Sequence, residues 1–255
     1  MQLLKKAIRA TTAHPALRGI LARGFAKANA YFDAVSNEQL LDIYLKYKNY
    51  TCIPPETFVA NLDVIGRYAS VPGCVVECGV WRGGMSAAMA DLLGPGRTYH
   101  LFDSFEGLPE ATAIDGQRAV DYSANDTNNN CRADEHFATE AMGQSQAKDY
   151  ALHKGWFADT LKDFRPAEPI AILRLDGDWY SSTAECLNAL YPLVAEGGLI
   201  VIDDYFPWPG CSRAVHDYLS ANGSADRIQT VDTMLAFFEK REVRACQPID
   251  PQRQV

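Results

Sequence analysis

Residues 75–103 read VVECGVWRGGMSAAMADLLGPGRTYHLFD, and this stretch decides the fold. Val75–Val80 is a short apolar run carrying an acid, Glu77, and opening into a glycine-rich turn. Met85–Leu93 then places small and apolar residues at helical spacing, and Thr98–Asp103 is a second apolar run closed by an acid. Strand, turn, helix, strand is the repeating unit of a parallel sheet, because parallel neighbours need a crossover between them. The alternation continues with runs at Ala151–Phe157, Ile170–Asp176 and Leu199–Asp204, and with helical patterns at Asp134–Met142, Ser182–Leu193 and Arg213–Ala221. Arg227–Val231 and Met234–Glu239 are joined only by Asp232-Thr233, a connection short enough to demand an antiparallel hairpin. The pattern predicts an α/β fold with a mostly parallel, seven-stranded sheet and helices on both faces. Residues 36–48 and 56–70 read as helices ahead of the sheet, the second starting after Pro54-Pro55.

The rest of the chain bounds the function. Its 255 residues are 47% apolar and 22% charged, a globular mix with no run long enough to span a membrane. A net charge of −8 argues against a dedicated nucleic-acid binder. Seven cysteines without a C-x-x-C pair read as reduced thiols of a cytoplasmic protein. Residues 1–32 hold Lys5, Lys6, Arg9, Arg18, Arg23 and Lys27 and no acid. With no secretory apolar core behind them, they read as two short helices broken at His14-Pro15. Such an arm suits packing on a partner subunit in a homo-oligomer, or weak peripheral contact with an anionic membrane surface. The expected organisation is a helical arm over 1–55, a catalytic domain over 56–245 and a tail over 246–255, with 109–149 as a lid over the acceptor. The polar stretch 126–130 within that lid suggests a mobile flap.

Ligands of open α/β sheets lie beyond the carboxyl ends of the strands, and here those ends hold Glu77, Asp103, Trp156, Asp176, Asp178, Asp203 and Asp204. The first turn lacks the G-x-G-x-x-G of a dinucleotide site, which disfavours a nicotinamide oxidoreductase. An acid before its first glycine would repel a pyrophosphate and suit a ligand with a cationic amino group, such as S-adenosylmethionine (SAM). Asp103, 26 residues after Glu77, is placed to accept ribose hydroxyls, with Ser104-Phe105 edging a base. Gly155 and Trp156 either line the same base or pack in the core. Asp176 and Asp203-Asp204 end strands expected to be neighbours, so three carboxylates converge. All-oxygen ligation of that kind suits Mg²⁺, with Mn²⁺ or Ca²⁺ as substitutes. His216 and Arg213, on the following helix, are either substrate contacts or surface residues. Trp208 either stacks on a sugar face or meets another subunit.

Taken in order, ECGVWRGGMS, FDSFEGLP, GWFADTL, LRLDGDWYSST, LYPLVAEGGLIVIDDY and CSRAVHDY resemble the macrocin O-methyltransferase family over roughly residues 56–222. The resemblance implies a Rossmann-like class I methyltransferase that depends on SAM and Mg²⁺ and methylates a sugar hydroxyl of a glycosylated natural product or surface glycan. It places the SAM loop on Glu77 to Gly84 and the ribose acid on Asp103; with the residues read above, the expected donor site is Glu77, Gly79, Val80, Trp81, Arg82, Gly83, Ser86, Asp103, Ser104, Phe105, Gly155 and Trp156. The implied metal ligands are Asp176, Asp203 and Asp204, and the base is Asp178 or Asp176, with His216 a further candidate at the acceptor. The alternatives are a catechol-type O-methyltransferase acting on a small aromatic diol and a non-catalytic SAM-binding protein; the latter has no need of the three metal acids.

Overall fold

The computed structural model describes residues 38–125 and 131–241. Residues 1–37 with the basic arm, the whole polar stretch 126–130 and the residues from 242 onward lie outside the described residues.

Among the described residues, seven strands form one sheet in the order β3-β2-β1-β4-β5-β7-β6. They are β1 (Cys74–Cys78), β2 (Thr98–Asp103), β3 (Asp149–Lys154), β4 (Ile170–Leu175), β5 (Val194–Ile202), β6 (Gln229–Val231) and β7 (Leu235–Glu239). The first five run parallel, and β7 lies antiparallel to both β5 and β6. Every residue of β1 and β4 is buried, as expected for central strands covered on both faces.

Alternation along the strands divides the core. Val75, Tyr99, Leu101, Ile172 and Val201 pack against α1 (Glu38–Tyr47), α2 (Pro55–Gly66), α3 (Gly84–Leu93) and α5 (Glu135–Gly143). Val76, Phe102, Leu173, Leu175 and Ile202 pack against α7 (Tyr180–Leu190) and α8 (Pro209–Ala221) on the other face. Leu40 and Tyr47 of α1 share the first cluster, so this helix belongs to the same core as the sheet. In the central strands β1 and β4 the apolar pattern is broken by the register pair Glu77↔Arg174.

Three expected elements shift most. The third strand runs Asp149–Lys154 and stops before Gly155, whose N–H bonds the Asp103 carbonyl as the chain turns into the short α6 (Phe157–Thr160). The fifth begins five residues early, because Gly197 and Gly198 are held to Lys240 by backbone bonds. It ends at Ile202, where Asp203–Tyr205 forms a 3₁₀ turn. Helix α8 begins at Pro209 rather than Arg213, since proline is well suited to a first helical turn. In the presumed lid, Ala113–Asp115 is a 3₁₀ turn and α4 spans Gln117–Ser123. Buried Asp115 ties that region to α7 by accepting the Tyr180 N–H at 2.7 Å.

Candidate active site

The carboxyl ends of the strands open into a cavity of about 1060 Å³. One end is lined by Gly79, Trp81, Asp103, Ser104, Gly155 and Trp156. Its floor carries Asp176, Asp178, Asp203 and Asp204. The far wall comes from Cys52–Pro54 with Glu56 and Thr57, from Phe206-Pro207, and from the hairpin turn Asp232–Met234. Of the presumed lid, Pro109, Tyr122 and Cys131 reach the cavity.

A glycine and a carboxylate shape the first end. Gly79 has φ +88°, and a Cβ there would sit 1.7 Å from the Asp176 carbonyl oxygen. Only glycine lets the first turn pass that close to the end of β4. The turn then wraps Asp103, whose Oδ2 accepts the N–H groups of Val80 at 2.7 Å and Trp81 at 2.8 Å. Its Oδ1 accepts the Phe105 N–H at 2.6 Å. Burial pushes the Asp103 carboxyl up, and these amide bonds oppose the shift. A carboxylate offers about four acceptor sites, so Asp103 keeps capacity for a ligand hydroxyl.

Six residues placed at the donor site by sequence do not line the cavity. Glu77 lies in the sheet interior, where Oε1 accepts Arg174 Nη1 at 2.6 Å and Oε2 accepts the Ser86 hydroxyl. Its charge is consumed there, not at a ligand's amino group; burial pushes it up to about 7 against the pull of Arg174. Arg82 stacks over Trp81 and Phe137, with its guanidinium carbon 4.5 and 4.6 Å from the ring centroids. Val80 and Phe105 are buried and serve Asp103 through their amides, while Gly83, at φ +81°, caps α3. Ser86 is buried on α3 beside Glu77.

The carboxylate floor is the strongest electrostatic feature. Asp176, Asp203 and Asp204 each offer an oxygen within 4.8 Å of the others. Burial and neighbouring carboxylates push Asp176 up to about 6 and Asp178 up to about 8, and raise Asp204 well above the ordinary range. Like charges this close cannot all ionise without a cation. Arg174 supplies one from below, fully buried, with Nη1 2.8 Å from Asp176 Oδ2 and Nη2 2.7 Å from Asp203 Oδ1. It touches one oxygen of each and leaves the other oxygen of each outside these two ion pairs. A hard divalent cation fits that all-oxygen donor set.

Asp178 sits apart from this trio. Its φ of +59° is the left-handed conformation, unusual for a non-glycine residue. Two bonds hold it there: its N–H donates to Asp204 Oδ2 at 2.9 Å, and its Oδ1 accepts the Trp208 indole N–H at 2.8 Å. Trp208 is thus a buried partner of Asp178, edge-on to Trp179 at 4.9 Å, and presents no face to a sugar or a second subunit. The exposed aromatic of that loop is Phe206, which does line the cavity. His216 is exposed on α8, bonded through Nε2 to the Tyr205 hydroxyl at 2.8 Å, and does not reach the cavity. Arg213 pairs with Asp217 on the same exposed face.

Sequence reasoning missed Arg174 and Asn61. Arg174 was visible as a charge inside the apolar run Ile170–Leu175, and such a residue in a central strand requires buried partners. Asn61, in α2, gave a fainter signal as a lone amide among Phe58–Ile65.

The sequence matches the family model for macrocin-O-methyltransferase (TylF) over residues 60–240. It is 37% identical over 181 residues to demethyldecarbamoylnovobiocin O-methyltransferase of Streptomyces niveus, covering 67% of this chain and 66% of that one. It is also 37% identical over 195 residues to 8-demethyl-8-(2,3-dimethoxy-alpha-L-rhamnosyl)-tetracenomycin-C 4'-O-methyltransferase of Streptomyces olivaceus, covering 70% of each. The chain therefore spans about two thirds of the length of these relatives. The solved O-methyltransferase NovP superposes with a TM-score of 0.63 at 29% identity, covering 72% of this chain and 80% of that one. The fold is that of a class I O-methyltransferase, and the chain belongs to the macrocin O-methyltransferase family.

Proposed function

We propose that this protein transfers the methyl group of SAM to a hydroxyl of a sugar in a glycosylated acceptor. The observation that carries the reading is a single cavity joining a glycine-rich, Asp103-anchored end to a floor of four carboxylates. Asp103 receives the ribose hydroxyls, Gly155 and Trp156 border the base, and the turn at Gly79–Trp81 follows the methionine portion. Asp176, Asp203 and Asp204 would hold Mg²⁺, which when bound supplies the positive charge that makes a neighbouring hydroxyl more acidic.

In the transfer, the acceptor oxygen forms a bond to the methyl carbon as the carbon–sulfur bond breaks. The sulfonium becomes a neutral thioether, and the hydroxyl proton passes to Asp178. That residue suits the base role because it lines the cavity outside the cation-binding trio and is held by Trp208. Replacing Trp208 with Phe keeps the aromatic packing and deletes this bond. Turnover is expected to fall about tenfold, the worth of a hydrogen bond to a charged group, with little change in KM. Steady-state kinetics at saturating SAM reads this directly.

Charge narrows the acceptor. Glu56, Asp103, Asp176, Asp178, Glu185, Asp203, Asp204 and Asp232 line the cavity, and among the described residues no Lys, Arg or His does. Such a surface welcomes a cationic donor and opposes a phosphorylated acceptor. Initial rates with the same sugar presented as an aryl glycoside and as a nucleoside-diphosphate sugar test the reading. The glycoside is expected to win in kcat/KM by about a hundredfold, the effect of a few kcal/mol of repulsion. Methylation of simple catechols in preference to every glycoside would contradict it.

Among the described residues no helix is long and apolar enough to cross a membrane. Their cysteines are free thiols.

A further inference from the structure

Asn61 is fully buried on α2, in a stretch that otherwise packs apolar side chains against the sheet. A primary amide in such a place costs stability unless its donors and acceptor are all used. Here they are. Nδ2 donates to the Thr57 carbonyl at 3.0 Å within the helix and to Asp203 Oδ1 at 2.9 Å. Oδ1 accepts Arg174 Nε at 3.1 Å. Both partners outside the helix belong to the carboxylate floor, and Asn61 itself does not line the cavity.

Asp203 Oδ1 therefore accepts the Asn61 amide at 2.9 Å and lies 2.7 Å from Arg174 Nη2, an ion pair without hydrogen-bond geometry. The carboxylate cannot rotate without breaking both contacts, so Oδ2 is the oxygen left for a ligand. Arg174 alone would not fix this choice, because it is shared with Glu77 and Asp176. Asn61 is the partner that selects the Asp203 rotamer. Its helix also begins at the cavity wall, where Glu56 and Thr57 lie.

We propose that Asn61 is a positioning residue for the divalent-cation site, locking Asp203 so that Oδ2 faces the cation. The inference rests on the proposed ligand role of Asp176, Asp203 and Asp204.

The test is Mn²⁺ binding to the full chain, followed by electron paramagnetic resonance without acceptor, for the wild type and for Asn61→Leu. Leucine approximates the shape of the amide and removes both outward hydrogen bonds; Asn61→Ala serves if leucine prevents folding. Loss of a residue that orients a metal ligand typically weakens affinity about 10–100-fold, and that is the expected result. Binding of the demethylated donor product should be unchanged. The Mg²⁺ concentration for half-maximal turnover should rise by the same factor as the Mn²⁺ dissociation constant, with turnover at saturating Mg²⁺ largely kept. A folded variant that binds Mn²⁺ as tightly as the wild type overturns the proposal and leaves the metal site standing. A wild type that binds no Mn²⁺ or Mg²⁺ overturns the ligand assignment, and this inference with it.

Discussion

Asp203→Asn is expected to lower methyl transfer about a thousandfold at any Mg²⁺ concentration, the several kcal/mol that a bound cation contributes to a developing oxyanion. The substitution preserves size and removes the charge from one of three oxygens that lie within 4.8 Å of one another. It also replaces a carboxylate that accepts the buried Asn61 amide and pairs with the buried Arg174 guanidinium by a neutral amide. Donor binding should survive, because Asp103, Gly155 and Trp156, the residues proposed to hold the donor, are not among the three cation-binding acids. Turnover measured with and without a chelator, beside calorimetry with the demethylated donor product, separates the two effects. Full Mg²⁺-dependent turnover by the variant would remove Asp203 from the ligand set.

The second large effect is on stability. Arg174 is the fully buried cation beneath Glu77, Asp176 and Asp203, at 2.6, 2.8 and 2.7 Å. Arg174→Met fills much of the same volume and strands the carboxylates. Removing one partner of a buried ion pair costs about 3–5 kcal/mol, a large share of the 5–15 kcal/mol that holds a typical domain. The melting temperature should fall by roughly 10 °C at pH 8. The pH dependence has a definite sign. In the wild type Glu77 is already raised from 4.5 to about 7, so the folded form binds more protons in that window and stability declines as pH rises through it. Without Arg174 the raised value climbs further, so the variant should recover part of its loss when the pH is lowered toward 5.5. A variant with the wild-type melting temperature at pH 8 would mean that the buried charges are compensated in some other way.

Much of this architecture was legible in the sequence because it rests on local rules. The run Val75–Val80, the glycine-rich turn and Met85–Leu93 specify a strand-turn-helix unit, and two-residue spacing specifies the last hairpin. Asp176, Asp203 and Asp204 could be brought together on paper because adjacent parallel strands end at the same edge. The misplacements share a different cause: each depended on which way a side chain points. Glu77 sits at a strand end, yet pleating turns it away from the cavity and onto Arg174, its register partner. Phe105 is adjacent to the donor end in sequence, but a left-handed backbone at φ +57° turns its ring into the core and only its amide toward Asp103. Trp208 lies next to the metal acids, yet its indole is committed to Asp178. Asn61 showed in the sequence only as a lone amide; its partner was not legible, since Asp203 is 142 positions away.

The central claim is that the cavity joins a SAM site to a cation-dependent sugar site. The most direct measurement is mass spectrometry of glycosides incubated with the protein and SAM, with Mg²⁺ and with a chelator. The account predicts one added methyl group on a sugar hydroxyl, matched by an equal amount of demethylated donor, and loss of both with the chelator. A glycoside panel left unmodified while SAM binds, or methylation that proceeds unchanged in chelator, would contradict it.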